Sequence, residues 1–240
     1  ELMHAINHAQ PWLAEDCEEY RWIDEATSTW AEHFVYPNAE SEHGRAVHYL
    51  LTTDKPLDHT VSDRDQRYYG LYLLPFDLAL RGHEAAIPEM WKQFGARKSL
   101  AGIEAALGKV GTSYDEFFPR FMVDNWNQHS AALYHEKDGL EETAHAPDGE
   151  DPEVVSLSGG KYEKKIALDL YYLSSRYRYF RFGPEVKAVT FDNGLYGIDH
   201  AKTWAIEKID GEWKEPRELT GEMGVSWCRP AQKLEELVLV

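Results

Sequence analysis

Glu1-Leu2-Met3-His4 and, further along, Trp22-Ile23-Asp24-Glu25-Ala26 are the two segments around which the chain is organised. Glu1 and His4 are expected on one face of a helix, because residues three apart are neighbours there. A second predicted helix carries Glu25, which follows His4 after twenty intervening residues. One helix with a general base and a histidine ligand, followed by another with a carboxylate ligand, is typical of a zinc hydrolase.

The histidine that would complete an H-E-x-x-H motif belongs immediately before Glu1, where the sequence starts. Since the first residue is not methionine and the first residues already look helical, we expect a fragment cut inside the motif. The missing zinc ligand would lie just upstream. With His4 and Glu25 alone, the fragment should bind zinc poorly and be inactive. Two protein ligands in place of three chelate the ion less tightly.

Other interpretations of these residues stay open. Glu25 by itself could be an ordinary solvated charge on a helix. His4 and His8 are four residues apart and could chelate a metal ion together. Thr29, one turn after Glu25, could hydrogen-bond a ligand, whereas Asp24 is expected to point away from Glu25 around the helix and is assigned no role.

Glu1-Leu2-Met3-His4 resembles the end of the H-E-x-x-H helix of gluzincin metallopeptidases, and Trp22-Ile23-Asp24-Glu25-Ala26 is similar to their W-x-N-E-(G/A) segment. The resemblance covers roughly residues 1–130 and implies zinc-dependent hydrolysis of a peptide or protein substrate. It implies zinc ligands at His4 and Glu25 and a general base at Glu1. It also implies a tyrosine donor to the oxyanion, for which Tyr69 is the first choice and Tyr68 the second. Each tyrosine could equally be a core residue.

The segment Tyr69-Gly70-Leu71-Tyr72-Leu73-Leu74-Pro75-Phe76 resembles a pattern in bacterial surface proteins, where a C-terminal β-domain follows. This similarity implies an extracellular or cell-surface location and no activity. The alternative function is therefore a non-catalytic binding or display module. Its β-domain would hold carbohydrate or protein, with Trp204, Trp213 and Trp227 as candidate contacts and core packing as their simpler role.

The chain has 240 residues, 42 of them acidic and 25 basic, for a formal net charge of −17. A surface of this charge repels phosphate backbones, so nucleic acid is not an expected partner. No apolar run reaches the roughly 18 residues of a membrane span. Cys17 and Cys228 are expected to be buried small hydrophobic residues rather than a disulfide. The oligomeric state is not indicated.

Hydrophobic periodicity predicts an all-helical region over residues 1–140. Gly82-His83 is a stop signal for one helix, and Ser113 with Glu116 predicts a capping box for another. The predicted helices span residues 1–9, 20–34, 45–51, 66–81, 85–94, 99–110 and 113–127.

An acidic linker is predicted over residues 141–160, with a change to alternating apolar residues beyond it. Asp210-Gly211 is the strongest hairpin signal. The fold class is therefore α+β, in which the helical region resembles the C-terminal lobe of a gluzincin catalytic domain and residues 161–240 form an antiparallel β-sandwich. The predicted strands span residues 166–170, 177–182, 186–191, 204–209 and 234–240.

Overall fold

The computed structural model describes residues 2–10, 16–36, 42–59, 66–126, 152–157 and 161–240. It contains both helices and β-sheets, so the α+β class is confirmed. The helices of the first part are α1 (Leu2–His8), α2 (Cys17–Val35), α3 (Ala46–Leu50), α4 (Arg67–Gly70), α5 (Leu73–Leu80), α6 (Ala86–Phe94), α7 (Ser99–Lys109) and α8 (Tyr114–Asp124). A 3₁₀ turn, His43–Arg45, leads into α3.

Helix α2 is the element on which the helical part is built. Its apolar stripe buries Trp22, Ile23 and Ala26 almost completely. The indole Nε1 of Trp22 donates to Ser99 Oγ at 3.1 Å, and the Tyr20 hydroxyl donates to the Phe94 carbonyl at 3.0 Å. These bonds satisfy the polar ends of large side chains inside the core, so α2 is fixed against α6 and α7.

The helix predicted over residues 66–81 is wrong in one respect, because two helices, α4 and α5, occupy it. Pro75 lies in the first turn of α5. Its ring nitrogen cannot donate to the carbonyl of Leu71 four residues earlier, and the ring crowds that carbonyl. The chain therefore breaks at Leu71 and starts a new helix with proline in the first turn, where its missing N–H costs nothing.

The predicted stop at Gly82-His83 is confirmed. Gly82 has a φ of +76°, a conformation that glycine adopts without strain. Its N–H donates to the Ala79 carbonyl at 3.0 Å, and the His83 N–H donates to the Leu78 carbonyl at 2.7 Å. This pair of bonds is the Schellman motif, which satisfies the last carbonyls of α5.

The predicted capping box at α8 is not formed. Ser113 is the N-cap residue, but its side chain makes no capping hydrogen bond. Instead Glu104 Oε2, on α7, accepts a hydrogen bond from the Tyr114 N–H at 2.8 Å. A carboxylate is a stronger acceptor for a helix N-terminus than a hydroxyl, so a residue distant in sequence takes the capping position.

In the second part, the residues that the structure describes form eight strands in two sheets. The larger sheet has the order β1-β2-β8-β4-β5, with β6 also paired to β4, and the smaller pairs β3 with β7. The strands are β1 (Glu153–Val155), β2 (Arg178–Phe182), β3 (Ala188–Asp192), β4 (Trp204–Ile209), β5 (Glu212–Trp213), β6 (Arg217–Glu218), β7 (Gly224–Cys228) and β8 (Leu234–Leu239).

The predicted hairpin at Asp210-Gly211 is confirmed. Ile209 pairs with Glu212 across the turn, and Asp210 and Gly211 have φ values of +55° and +81°. Positive φ at both central residues gives the turn whose twist matches that of paired strands, and Asp-Gly is a favoured sequence for it.

Three expectations for the second part are wrong. Residues 166–170 form no strand, and most of them are exposed. Strand β1, in the described residues 152–157 of the predicted 141–160 linker, is parallel to β2, contrary to the antiparallel pairing expected, and the long connection to Arg178 permits this. A short helix, α9 (Arg229–Gln232), stands between β7 and β8. The remaining strand pairs are antiparallel.

Two apolar clusters involve the sheets. One joins β3 and β7 to the larger sheet through Val225, Trp227, Ala205 and Leu237. The other joins the helical part to the larger sheet and contains Val123, Trp126, Tyr177, Tyr179, Trp204, Ile206 and Val238. The helical part and the sheets therefore share a packed boundary.

Both cysteines are free and exposed, contrary to the expectation that they are buried. Cys17 is the first residue of α2, and Cys228 points outward because the inward positions of β7 are Val225 and Trp227. Within the described ranges, none of the helices combines the length and apolar character needed to cross a membrane.

Candidate active site

The predicted zinc ligands His4 and Glu25 lie against each other. Helix α1 packs across α2, and His4 Nε2 is 3.1 Å from Glu25 Oε2. Their side chains are 28% and 18% exposed, so both can be reached by water. The common-ligand interpretation requires that these two donors converge, and they do.

A cleft of about 450 Å³ opens above this pair. Its walls come from α1, α2, α4 and the 3₁₀ turn, and the residues that line it are His4, Glu25, Ser28, Thr29, Glu32, Arg45, Gln66 and Tyr69. The lining is strongly polar, which suits a peptide backbone better than an apolar ligand. Thr29 lies in the cleft on the same face as Glu25, one turn further along α2.

The two tyrosine candidates lie in different environments. Tyr69 lines the cleft, whereas Tyr68 is 7% exposed and belongs to the helical core. Gly70 allows this arrangement, since a Cβ there would lie 2.7 Å from the Arg45 carbonyl and from the Tyr49 nitrogen. Any larger residue would push α4, and Tyr69 with it, away from the cleft.

Arg45 provides a positive charge in the cleft. Its Nη1 donates to Glu32 Oε1 at 3.3 Å and to Thr29 Oγ1 at 3.4 Å, and its guanidinium lies 5.1 Å from the centre of the Tyr69 ring. Arginine beside a carboxylate and over an aromatic ring is held in one orientation. The cleft therefore contains a cation that is paired with the Glu32 carboxylate.

Asp24 does not point away from the first helix, so the expectation that it has no role is corrected. Its Oδ1 accepts from Asn7 Nδ2 at 2.7 Å, and its Oδ2 lies 3.2 Å from His8 Nε2 and 3.9 Å from His4 Nε2. Helix α1 lies along the groove between the Asp24 and Glu25 side chains. Asp24 therefore holds α1 in place beside the candidate ligands.

His4 Nε2 is nearest to Glu25 Oε2, at 3.1 Å, and His8 Nε2 is nearest to Asp24 Oδ2, which lies 3.9 Å from His4 Nε2 as well. The distance between the ring centres of His4 and His8 is 6.4 Å. His8 is 58% exposed and lies beside Asp24, on the outer end of α1. Chelation by His4 and His8 together stays a hypothesis, and the contacts described favour the pair His4 and Glu25. Glu1, the predicted base, lies outside the described residues.

The donor set suits a zinc ion. Two ligands of a tetrahedral zinc, each about 2.0 to 2.2 Å from the metal, stand about 3.3 Å apart. The 3.1 Å separation of His4 Nε2 and Glu25 Oε2 is close to that value, and it is also the length of a hydrogen bond between the two side chains. Imidazole nitrogen and carboxylate oxygen are both common zinc donors.

Comparisons of the chain with protein-family models, with curated proteins and with solved structures find no match. The gluzincin resemblance therefore rests on the residues and their placement alone.

Four cleft residues were not among the predicted site residues: Ser28, Glu32, Arg45 and Gln66. Ser28 and Glu32 follow Glu25 at helical spacing. The period of α2 therefore could have predicted that they share a face with Glu25. Arg45 and Gln66 reach the cleft through tertiary packing, for which the local sequence gives no pattern.

Proposed function

We propose that this chain carries part of the active site of a zinc-dependent peptide hydrolase, with His4 and Glu25 as metal ligands. The observation that carries the proposal is the convergence of these two side chains, 3.1 Å apart, at a polar cleft that Tyr69 also lines. A catalytic zinc site takes three protein ligands, and in the H-E-x-x-H pattern the first histidine directly precedes the glutamate. Action outside the cytoplasm is part of the proposal and rests on the sequence resemblance.

Zinc bound by these ligands would lower the pKa of a water molecule to about 7 and polarise a substrate carbonyl. Glu1 is assigned as the base that takes the proton from this water and passes it to the leaving amine. The Tyr69 hydroxyl is assigned as a donor to the developing oxyanion. Arg45 and the carboxylate of Glu32 would orient the peptide in the cleft.

The alternative, a non-catalytic binding module, depends on exposed tryptophans in the second part. Trp204 and Trp227 are 5% and 1% exposed, so neither can stack on a sugar. Trp213 is half-buried and packs against Trp126 and Tyr179. These contacts favour packing roles for all three tryptophans.

The test uses a chain extended by a histidine immediately before Glu1. It should bind zinc and hydrolyse peptides, whereas the 240-residue chain should have no appreciable activity. Glu1→Gln in the extended chain should keep the metal and lose turnover, because an amide cannot accept the proton. Unchanged hydrolysis by Glu1→Gln would show that Glu1 is not the base.

Tyr69→Phe and Tyr68→Phe form a matched pair, since the two residues are adjacent in the chain and each substitution removes one hydroxyl. In the extended chain, Tyr69→Phe should lower kcat by about two orders of magnitude, on the scale of losing one oxyanion donor. Tyr68→Phe should leave kcat near the unmodified value, because Tyr68 belongs to the core. Equal effects of the two substitutions on kcat would exclude Tyr69 as the donor.

A further inference from the structure

A second group of metal-binding side chains lies at the other end of α2. His33, Glu42 and His43 each offer one donor atom, and these three atoms lie within 4.8 Å of one another. His33 is in the last turn of α2, and Glu42 and His43 begin the segment that contains the 3₁₀ turn. None of the three lines the cleft described above.

The distances within the group match a metal site. Glu42 Oε1 lies 3.2 Å from His33 Nδ1 and 3.9 Å from His43 Nε2. The longer distance exceeds a hydrogen bond. Both are near the separation of about 3.3 Å between ligands of a tetrahedral zinc ion. The three donor atoms, all within 4.8 Å of one another, are therefore close enough to face one ion.

Burial gives an independent reason to expect a cation there. The side chains of Glu42 and His43 are each 1% exposed. Among the described residues, the ion-pair partners of Glu42 are these two imidazoles, with no lysine or arginine. A buried carboxylate without a permanent positive partner is costly, and a divalent ion bound between it and two imidazoles removes that cost.

The surroundings hold His43 in a ligating orientation. Its Nδ1 lies 2.8 Å from the Tyr72 hydroxyl. A histidine that donates Nδ1–H to a neighbouring oxygen presents Nε2 to a metal, which is the usual arrangement around metal-bound imidazoles. Phe76 packs against both imidazole rings.

We propose that His33, Glu42 and His43 bind a divalent transition-metal ion, with zinc as the best match to two imidazoles and one carboxylate. His33 is 28% exposed, so the ion can reach the site from solvent and a fourth position can hold water. The bound ion joins the end of α2 to the segment that carries Arg45. Its role is to fix that segment, and the site is separate from the proposed hydrolytic site.

The test measures zinc binding to the metal-stripped 240-residue chain by equilibrium dialysis with elemental analysis. We expect one tightly bound zinc, retained in the double variant His4→Ala/Glu25→Gln, which removes the cleft donors. His33→Ala and Glu42→Gln should each weaken binding by more than about 100-fold, because they remove a ligand. His83→Ala, a histidine in the loop after α5, is the matched control and should bind as the unmodified chain does.

Zinc should also raise the Tm of the unmodified chain by about 5 to 10 °C at a concentration 100 times the Kd, and should not raise that of His33→Ala. His33 is partly exposed, so this variant should fold, and its Tm without metal verifies this. Tyr72→Phe should weaken zinc binding by about 10-fold with the stoichiometry unchanged, because the Nδ1 partner is lost.

The proposal is overturned if the chain binds no zinc, or if His33→Ala and Glu42→Gln bind it as the unmodified chain does. It is also overturned if the double variant His4→Ala/Glu25→Gln loses the zinc, since the ion would then belong to the cleft. Failure of the extended chain to hydrolyse peptides would count against the proposed function and leave this site unaffected.

Discussion

Asp77 is a fully buried carboxyl group in the helical core. Arg81 Nε donates to its Oδ2 at 3.1 Å, and the same guanidinium also pairs with Asp124. Burial, and then the nearby Asp124 carboxylate, raise the pKa of Asp77 well above its ordinary value. Asp77 therefore keeps its proton to higher pH in the folded chain than in the unfolded chain.

This shift predicts a pH dependence of stability. The folded state holds the Asp77 proton more tightly, so its stabilising contribution is full below the ordinary carboxyl pKa, about 4, and is lost as pH rises through the raised pKa. Asp77→Asn cannot titrate, so the free energy of unfolding of the unmodified chain should fall relative to that of this variant above about pH 4. Urea unfolding across the pH range measures the difference. Asp169→Asn, at an exposed position, is the control. Parallel curves of unfolding free energy against pH for Asp77→Asn and the unmodified chain would contradict the prediction.

Residue pairs differ in how well the sequence predicts them. His4 and Glu25 could be paired in advance, because a motif specifies their separation along two consecutive helices. Arg45 could not, because it lies on a different segment of the chain and reaches the cleft through tertiary packing. Asp24 was misjudged because helix geometry places it away from Glu25, while α1 is close enough to touch both carboxylates.

Helix α1 is held on α2 mainly by polar contacts. Its apolar residues Leu2 and Ile6 are 70% and 54% exposed, and its one buried residue is Asn7. The side chains of Asn7 and His8 both bond to Asp24. A seven-residue helix is not stable alone, so its position depends on these bonds.

Asp24→Ala should therefore release α1 while the rest of the core stays folded. Amide hydrogen exchange should show faster exchange in residues 2–8, with protection of α5 and α7 unchanged. Glu18→Ala, an exposed position on α2, is the control and should leave α1 protected. Retained protection of α1 in Asp24→Ala would show that other contacts hold it.

At the scale of elements, periodicity predicted helices and strands well where the apolar pattern coincides with packing. Residues 204–209 were predicted as a strand and form β4 at the centre of the larger sheet. Residues 166–170 show similar alternation, yet they form no strand, and most of them are exposed. Alternation indicates that a segment can be a strand, and the neighbouring strands decide whether it becomes one.

The boundary between the helical part and the sheets is a feature of the whole molecule. Trp126, just after α8, is fully buried and packs against Tyr179 and Trp213 at ring-centre distances of 5.0 and 6.0 Å. The Tyr177 hydroxyl donates to the Met122 carbonyl at 2.5 Å across the same boundary. The change of hydrophobic pattern along the chain predicted two parts, but these contacts join positions too far apart for periodicity to reveal.

Trp126→Ala should destabilise both parts together. A large aromatic residue removed from a packed site costs about 3 to 5 kcal/mol, and the loss is shared by the helices and the sheets on either side. Circular dichroism in the far and near ultraviolet should show one coincident thermal transition at a lower temperature. Tyr196→Ala, at a 48% exposed position, should change the transition little. Two separate transitions, or a cost below about 1 kcal/mol, would show that the parts are energetically independent.

Because Cys17 and Cys228 are exposed, each part of the molecule has one thiol that can be labelled. They are the two cysteines of the sequence, one at the start of α2 and the other at the end of β7. A thiol-reactive fluorophore can therefore be attached to the helical part in Cys228→Ser and to the sheets in Cys17→Ser, with no new cysteine introduced. Dyes on both thiols would report the distance between the two parts by energy transfer as zinc or peptide is added.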